Sequence, residues 1–328
     1  MTIIKGRVQA DSFQIDGIFR IARGSKTAAE VVTVTLSDGT YSGRGECVPY
    51  ARYGESLTSV CEQIQAILKE IEAGLTREKL QSVMPAGAAR NAVDCALWDL
   101  EAKREGSRVW ELLGLPQPDD LVTAYTISYD DPIIMEQKAR DAAARPLLKV
   151  KLASSDDVPR IAAVRRGAPQ SEIMLDANEG WSAQDYASIM QGLEPYNILA
   201  IEQPLPASHD QALKSLPHPI PLIADESAHT SDRLPDLIGL YDMINIKLDK
   251  TGGLTEALKL KQKAEEAGMD IMVGCMVGSS LAMAPAMVLA HDAKLVDLDG
   301  PLLLSEDRNT PLTFDGSLMK TPSVALWG

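Results

Sequence analysis

The chain has 328 residues, 45% of them apolar and 24% charged, with a formal charge of −14. That length allows a large core and favours two domains over one, and the apolar fraction is that of an ordinary globular protein. So much negative charge repels a phosphate backbone or an anionic bilayer, which argues against nucleic acid and a membrane surface as partners.

The amino terminus, MTIIKGRVQADSF, lacks an apolar run of signal-peptide length and meets charge at Lys5 and Arg7, which predicts a cytoplasmic protein. Cys47, Cys61, Cys95 and Cys275 are scattered without metal-ligand spacing and read as reduced, buried thiols. Residues 1 to about 47 read as a small antiparallel sheet, because EVVTVTL and YSGRGECV flank Ser37-Asp38-Gly39-Thr40 and Asp-Gly is a strong hairpin signal. Ahead of that hairpin, residues 19–26 carry Arg20, Arg23 and Lys26 in an otherwise acidic chain, and read either as a solvated loop or as an anion-binding segment. From Ser56 the period becomes helical, with Val60, Ile64, Ile67, Leu68 and Ile71 on one face and Gly74 as a stop. A shorter helix follows Thr76, a third spans residues 88–104 and ends near Gly106, and residues 114–120 form a linker. Sheet first and helices after predict an α+β capping domain over residues 1–120.

Beyond the linker, strands alternate with helical patterns. The strand candidates are residues 123–129, 147–152, 172–178, 199–203, 221–225, 243–248, 270–275 and 294–299. Eight strands at this spacing predict a closed parallel barrel over residues 121–304. An open doubly wound sheet is disfavoured, since no GxGxxG turn is present. The barrel is short for a fold of roughly 250 residues, so its loops are spare and the first domain is expected to serve as the lid, with the tail 305–328 returning to it. The twenty uncharged residues between Asp270 and His291 read as a buried strand, a small-residue loop and a buried helix rather than a bilayer span.

The chemistry begins at LLKVKL, residues 147–152, where alternation puts Lys149 and Lys151 on one face. Four later apolar runs each deliver a charged residue near their carboxyl end, Asp176, Glu202, Asp225 and Lys247, at steps of 25, 26, 23 and 22 residues from Lys151 onward. Each step is the length of one strand, one helix and two short loops. At the carboxyl mouth of a barrel these residues converge. Three carboxylates without histidine or cysteine make a hard oxygen site suited to Mg²⁺ or Mn²⁺ rather than zinc. Asn178 either supports Asp176 or caps the next helix. Lys151 and Lys247 flank the acids, which suits proton removal next to a carboxylate and return from the other side, a racemisation or epimerisation. LVDLDGP adds Asp297 and Asp299 on one face of the eighth strand, able to hold an ammonium group or to pair with neighbouring lysines.

In this order KVK, LDAN, IEQP, ADES and NIKLDKTGG resemble the enolase superfamily, in its muconate lactonizing subgroup. The superfamily's lysine base with Mg²⁺ is itself a known pattern of pKa tuning. The resemblance implies a (β/α)₇β barrel under a capping domain, with Asp176, Glu202 and Asp225 on Mg²⁺, Lys151 and Lys247 as the acid/base pair, and Lys149 stabilising the enolate oxygen. Asp297 and Asp299 match the Asp-x-Asp of the dipeptide epimerases, which implies that they bind a free amino group. IARGS, GECVPYARYGES and GAARNAVDCALWDLEAK are similar to L-Ala-D/L-Glu epimerases, which implies that Arg23 meets a glutamate side chain and that Tyr53 belongs to a second cap loop. The implied activity is inversion of the carboxyl-terminal α-carbon of a small dipeptide such as L-Ala-L-Glu, through a metal-stabilised enolate, in murein peptide metabolism. Rival reactions on the same scaffold are N-acylamino acid racemisation, o-succinylbenzoate synthesis and muconate cycloisomerisation, none of which needs Asp297 and Asp299 for a free ammonium. A non-catalytic binding protein on this fold would be expected to have lost one of the five barrel residues, and all are present. A homo-oligomer stays open.

Overall fold

The structure, a computed structural model, describes residues 3–21, 23–154 and 156–328; Ala22, within the cation-rich segment, lies outside them. The first sheet is antiparallel, β1 (Lys5–Ile21), β2 (Gly24–Ser37) and β3 (Ser42–Cys47), in sequence order. The β2–β3 hairpin turns where Asp-Gly predicts it: Asp38 Oδ1 accepts from the amides of Thr40 and Tyr41 at 2.9 and 2.8 Å. Helix α1 (Leu57–Glu72) buries Val60, Ile64, Ile67, Leu68 and Ile71 and is capped by Ser56. Each such side chain contributes roughly 1.5–3 kcal/mol when taken out of water. Helix α2 (Arg77–Val83) starts at the Thr76 cap, and α3 (Ala88–Glu105) ends at left-handed Gly106. A short α4 (Val109–Leu112) precedes the extended residues of the linker.

After β4 (Leu121–Val122), which pairs with tail strands, come the barrel strands β5 (Tyr125–Ile127), β6 (Leu147–Lys151), β7 (Glu172–Asp176), β8 (Ile198–Glu202), β9 (Leu222–Ala224), β10 (Met243–Ile246), β11 (Asp270–Gly274) and β12 (Leu295–Asp297). They form one sheet in sequence order, parallel at every ladder. The ring is drawn together between its first and last strands by the Ala124 amide on the Val296 carbonyl at 2.8 Å and the Thr126 amide on Asp299 Oδ2 at 2.7 Å. Helices α5 (Pro132–Asp141), α6 (Val158–Gly167), α7 (Ala183–Leu193), α8 (Leu248–Thr251), α9 (Leu254–Glu266) and α10 (Ser280–Ala290) cover the outside.

The connections after β8 and β9 differ from the expected helices. They are 3₁₀ segments, Ala207–Ser215 and Leu234–Asp236. Pro204 and Pro206 before the first and Pro217, Pro219 and Pro221 after it confine the stretch that can be helical, because each lacks the amide a continuing helix would use, while Pro235 stands in the opening turn of the second. The uncharged stretch resolves into β11, a loop and α10, and among the described residues no helix is long and apolar enough to cross a membrane. All four cysteines are free.

The barrel interior is closed below by one side chain from each strand position: Ala124, Leu147, Met174, Ala200, Ile223, Met243, Met272 and Leu295. Because strand side chains alternate, the residues two positions further along each strand face the same interior, one layer nearer the mouth. Those residues are Thr126, Lys149, Asp176, Glu202, Asp225, Asn245, Gly274 and Asp297. Another two positions on lie Lys151, Asn178, Lys247 and Asp299. The candidate residues are thus the apolar plug continued outward in polar side chains.

The cap is pinned to the mouth of the barrel. Asp249, just past β10, accepts from the Val48 amide at 3.0 Å and from Asn91 Nδ2 at 2.8 Å. Gly252 and Gly253, at φ +76° and +112°, run so close to α3 that an added Cβ would lie 2.5 Å from Arg90 Nε and from the Asp94 side chain respectively. Both the positive φ and the contact require glycine there. Glu46 of β3 accepts from the Ser279 amide at 2.8 Å and from Arg308 Nη2 at 2.6 Å, joining cap, barrel and tail. The tail also returns to α3, where Trp327 Nε1 donates to the Cys95 carbonyl at 3.0 Å and the Gly328 amide to Asp99 at 2.7 Å.

Candidate active site

Asp176, Glu202 and Asp225 are fully buried or nearly so, and one carboxylate oxygen from each lies within 4.8 Å of the others. Three desolvated carboxylates this close repel one another unless cations neutralise them. Lysines do so from below and beside. Lys149 Nζ lies 2.6 Å from Glu202 Oε2, 2.7 Å from Asp297 Oδ2 and 3.3 Å from Asp176 Oδ2. Lys151 Nζ donates to Asp176 Oδ2 at 2.6 Å, and Lys247 Nζ to Asp225 Oδ2 at 2.7 Å.

The consequence appears in the acidities. Burial opposes ionisation of Asp176, but Lys151 and Lys149 outweigh it and hold the group down at about 2. Glu202 is pushed up to about 7 by burial and by Asp176, with Lys149 only partly offsetting them. Burial also opposes the charge on Lys247, yet Asp225 and Glu202 raise its pKa well above the ordinary lysine value. Three buried carboxylates with no nitrogen or sulfur donor among them make an all-oxygen set that fits a hard divalent cation such as Mg²⁺.

Lys151 ends β6 and Lys247 follows β10, four strands later in a ring of eight, so they stand half a circumference apart across the acids. Both line a cavity of about 300 Å³ between barrel mouth and cap, together with Asp297, Asp299, Tyr53 and Arg23. Sequence reasoning therefore named residues that the fold brings to one place. Asp297 is buried, and its Oδ1 has no hydrogen-bond partner among the described residues. Asp299, pushed up to about 7 by burial and by Asp297, accepts from the Thr126 amide. Asn178 does not cap a helix: its amide donates to Asp176 Oδ1 at 2.9 Å, and Ser182 caps α7.

At the mouth, Tyr53 lies on a 3₁₀ turn, Ala51–Tyr53, with its ring 5.4 Å from Tyr50 and edge-on to His229 at 4.9 Å. Arg23 donates to Glu226 Oε1 at 2.5 Å, to the Asn178 carbonyl at 3.0 Å, and to Glu179 Oε2 and Tyr50 OH at 3.2 Å.

Sequence reasoning passed over several participants. Lys250 Nζ lies 2.6 Å from Asp225 Oδ1 and 3.1 Å from the Asn245 carbonyl, and also reaches the Asp225 carbonyl. It follows Lys247 by three residues, one helical turn, a signal that could have found it. Asn245 Nδ2 donates to Glu202 Oε1 at 2.7 Å, and its place two residues before Lys247 puts it on the same face. Glu226 follows a metal-site aspartate at the opposite parity, so no periodicity points to it.

A family model described as the mandelate racemase / muconate lactonizing enzyme N-terminal domain matches residues 3–114, and one described as enolase C-terminal domain-like matches residues 135–317. The chain belongs to the enolase superfamily. Among its enolase-superfamily relatives, the L-Ala-D/L-Glu epimerase of Escherichia coli K12 is 44% identical over 94% of this chain and 97% of that protein. An N-acetyl-D-glutamate racemase from a Pseudoalteromonas species is 45% identical over 91% and 95% respectively. A crystal structure of an enolase family member from Agrobacterium tumefaciens with homology to dipeptide epimerases, with bound sodium and L-Ala-L-Glu, matches at TM-score 0.97 and 51% identity, covering 99% of this chain and 100% of that one.

Proposed function

We propose that this chain is a Mg²⁺-dependent dipeptide epimerase that inverts the α-carbon of the carboxyl-terminal residue, acting on L-Ala-L-Glu and on the L-Ala-D-Glu of murein peptides. The observation that carries this reading is the placement of Lys151 and Lys247 half a barrel apart with three buried carboxylates between them. Relatives of comparable length that act on such dipeptides support it.

In this reading Asp176, Glu202 and Asp225 hold Mg²⁺, with Mn²⁺ a substitute of similar hardness, and the ion's charge offsets the negative charge that builds on the substrate carboxylate as the α-proton leaves. One lysine takes the α-proton onto its Nζ as a neutral amine, a state that a divalent cation on Asp225 and Glu202 would favour by relieving the carboxylate pull that otherwise raises the Lys247 pKa; the other, charged, delivers a proton to the opposite face of the same carbon. Exchanging the two roles runs the reaction backwards. Lys149, anchored by Glu202 and Asp297, points an ammonium at the oxygen that gains charge. Asp297, with its unpartnered oxygen, and Asp299 receive the dipeptide's ammonium. Tyr53 and Arg23 belong to the cap wall that keeps water from the reacting carbon.

A second reading follows from the racemase relative: N-acetylglutamate shares the carboxylate, the acylated nitrogen and the side chain of the dipeptide and lacks the ammonium and one carbon of the alanyl group. One experiment separates them. Dipeptides and N-acetylglutamate are incubated in D₂O with the Mg²⁺-loaded protein and read by mass spectrometry. Dipeptides are expected to gain one α-deuterium, and Asp299→Asn to slow the dipeptides far more than the N-acetyl substrate. No α-deuteration of any dipeptide sinks the proposal. Lys247→Ala is expected to abolish epimerisation while leaving exchange with one stereoisomer, and equal loss with both isomers contradicts the two-base scheme.

A further inference from the structure

We infer that Arg308 of the carboxyl-terminal tail is a positioning residue for the reaction: through Glu46 and Ser279 it fixes the loop that shores up Asp297 and Asp299, and so sets where the dipeptide's ammonium is held. The inference rests on the dipeptide reading and adds to it residues that touch no substrate. Glu46, on the cap strand β3, is buried, and three segments distant in sequence meet at its carboxylate. It accepts from the Ser279 amide at 2.8 Å and from the Ser279 hydroxyl, and its Oε2 accepts from Arg308 Nε and Nη2 at 2.9 and 2.6 Å. Arg308 Nε also donates to Ser279 Oγ at 2.7 Å, and Nη2 to Thr33 Oγ1 of β2 at 2.7 Å. The residue before it, Asp307, accepts from the Ser280 amide at 3.1 Å and from the Ser280 hydroxyl. Two consecutive tail residues thus grip the two residues at the start of α10.

What Ser279 anchors is a wall of the cavity. β11 ends at Gly274, the register partner of Asp297 on β12, so the loop 275–279 and residues 298–300 leave adjacent strands side by side. Cys275, Met276 and Val277 line the cavity together with Asp297 and Asp299. Gly278 is wedged: a Cβ there would lie 3.1 Å from Glu46 Oε1, and a Cβ on Gly300, next to Asp299, would lie 3.0 Å from the Gly278 carbonyl oxygen. The Gly278 peptide therefore fills the gap between the Glu46 carboxylate and the turn that carries Asp299. From the other side that turn is held by the Leu298 amide on Thr123 Oγ1 at 2.8 Å and by the Thr126 amide on Asp299. The hold through Gly278 depends on a buried ion pair, whose charged hydrogen bonds fix direction as well as distance and whose loss leaves Glu46 without the cation paired to it.

The test measures L-Ala-L-Glu kinetics by α-deuterium exchange, and backbone amide exchange by mass spectrometry, using Mg²⁺-loaded wild type, R308M, R308K and S279A. In R308M, KM is expected to rise about fivefold or more while kcat stays within about threefold, because no lysine or metal-site acid loses a partner. R308K, which keeps the charge without the planar fork, is expected to recover part of that loss. S279A, the milder cut, is expected to raise KM about threefold, and it carries the test if R308M does not fold. Amide exchange at residues 296–303 is expected to quicken in R308M and S279A along with that at residues 275–280. A KM within about twofold of wild type in the folded variants, the pattern of a residue that serves stability alone, overturns the inference. So does wild-type amide exchange at residues 296–303, or a fall in kcat as large as the rise in KM. Wild-type protein that exchanges no dipeptide α-proton overturns the parent reading instead, and the amide-exchange comparison still decides whether Arg308 braces the turn.

Discussion

The barrel floor and the cap rim solve the same electrostatic problem in opposite ways. On the floor, Lys149, Lys151, Lys247 and Lys250 face five carboxylates, Asp176, Glu202, Asp225, Asp297 and Asp299, within a buried and rigid layer. At the rim, Arg23 and Arg52 pair with Glu179 and the buried Glu226, and Lys26 of β2 lines the same cavity. On the floor, Glu202 and Asp299 are each pushed up to about 7, by burial first and by a neighbouring acid second. The rim has positive charge to spare. Chemistry that must be invariant sits where side chains cannot move, and discrimination sits where a loop substitution can retune it.

The contrast can be broken by removing charge from each region in turn. The largest effect is expected for Glu202→Gln, which removes an anionic ligand from the floor: activity should drop at least about a thousandfold, with Mg²⁺ binding by calorimetry weakened in parallel. Retained Mg²⁺ affinity would place the ion elsewhere. Next comes Lys250→Met, which leaves Asp225 with one buried partner fewer. Breaking a buried pair costs about 3 kcal/mol, readable as a lower urea midpoint of the metal-free protein, and a change below about 1 kcal/mol would make Lys250 a spectator.

Asp249 offers a pH test at the joint between the two regions. Burial pushes it up to about 7, against the donors Asn91 and Val48. An acid whose folded pKa exceeds its unfolded value binds its proton more tightly when folded, so this contribution to stability is full below about pH 4 and is lost as pH rises to about 7. Asp249→Asn keeps an oxygen for both donors and should flatten stability across that window, gaining about 2 kcal/mol at pH 8. Parallel curves for the two proteins would show that Asp249 ionises freely. The smallest effect is expected at the exposed edge of the rim. Arg52→Gln should cost less than about 1 kcal/mol and shift KM by less than about threefold, because solvent screens its bond to Glu179.

Alternation explains why the floor was legible in the sequence. Counting outward in twos from the apolar plug of Leu147, Met174, Ala200, Ile223 and Leu295 reaches Lys149, Asp176, Glu202, Asp225 and Asp297 without reference to any loop. The hairpin, α1 and α3 were readable for similar local reasons: Asp-Gly, a 3.6-residue stripe, and a Gly106 stop. What could not be read depends on contacts between distant segments. Glu226 meets Arg23 across 203 residues, and nothing near either one announces the other. Proline-rich connections after β8 and β9 carried an apolar spacing that suggested helices, and backbone sterics overrode it.

The bond that draws the barrel shut has a practical meaning. Thr126 gives its amide proton to Asp299, one of the two acids proposed to greet the incoming amine. That single N–H is therefore a native sensor: its deuterium uptake and nitrogen chemical shift should track whether the amine pocket is filled, without any label attached to the protein.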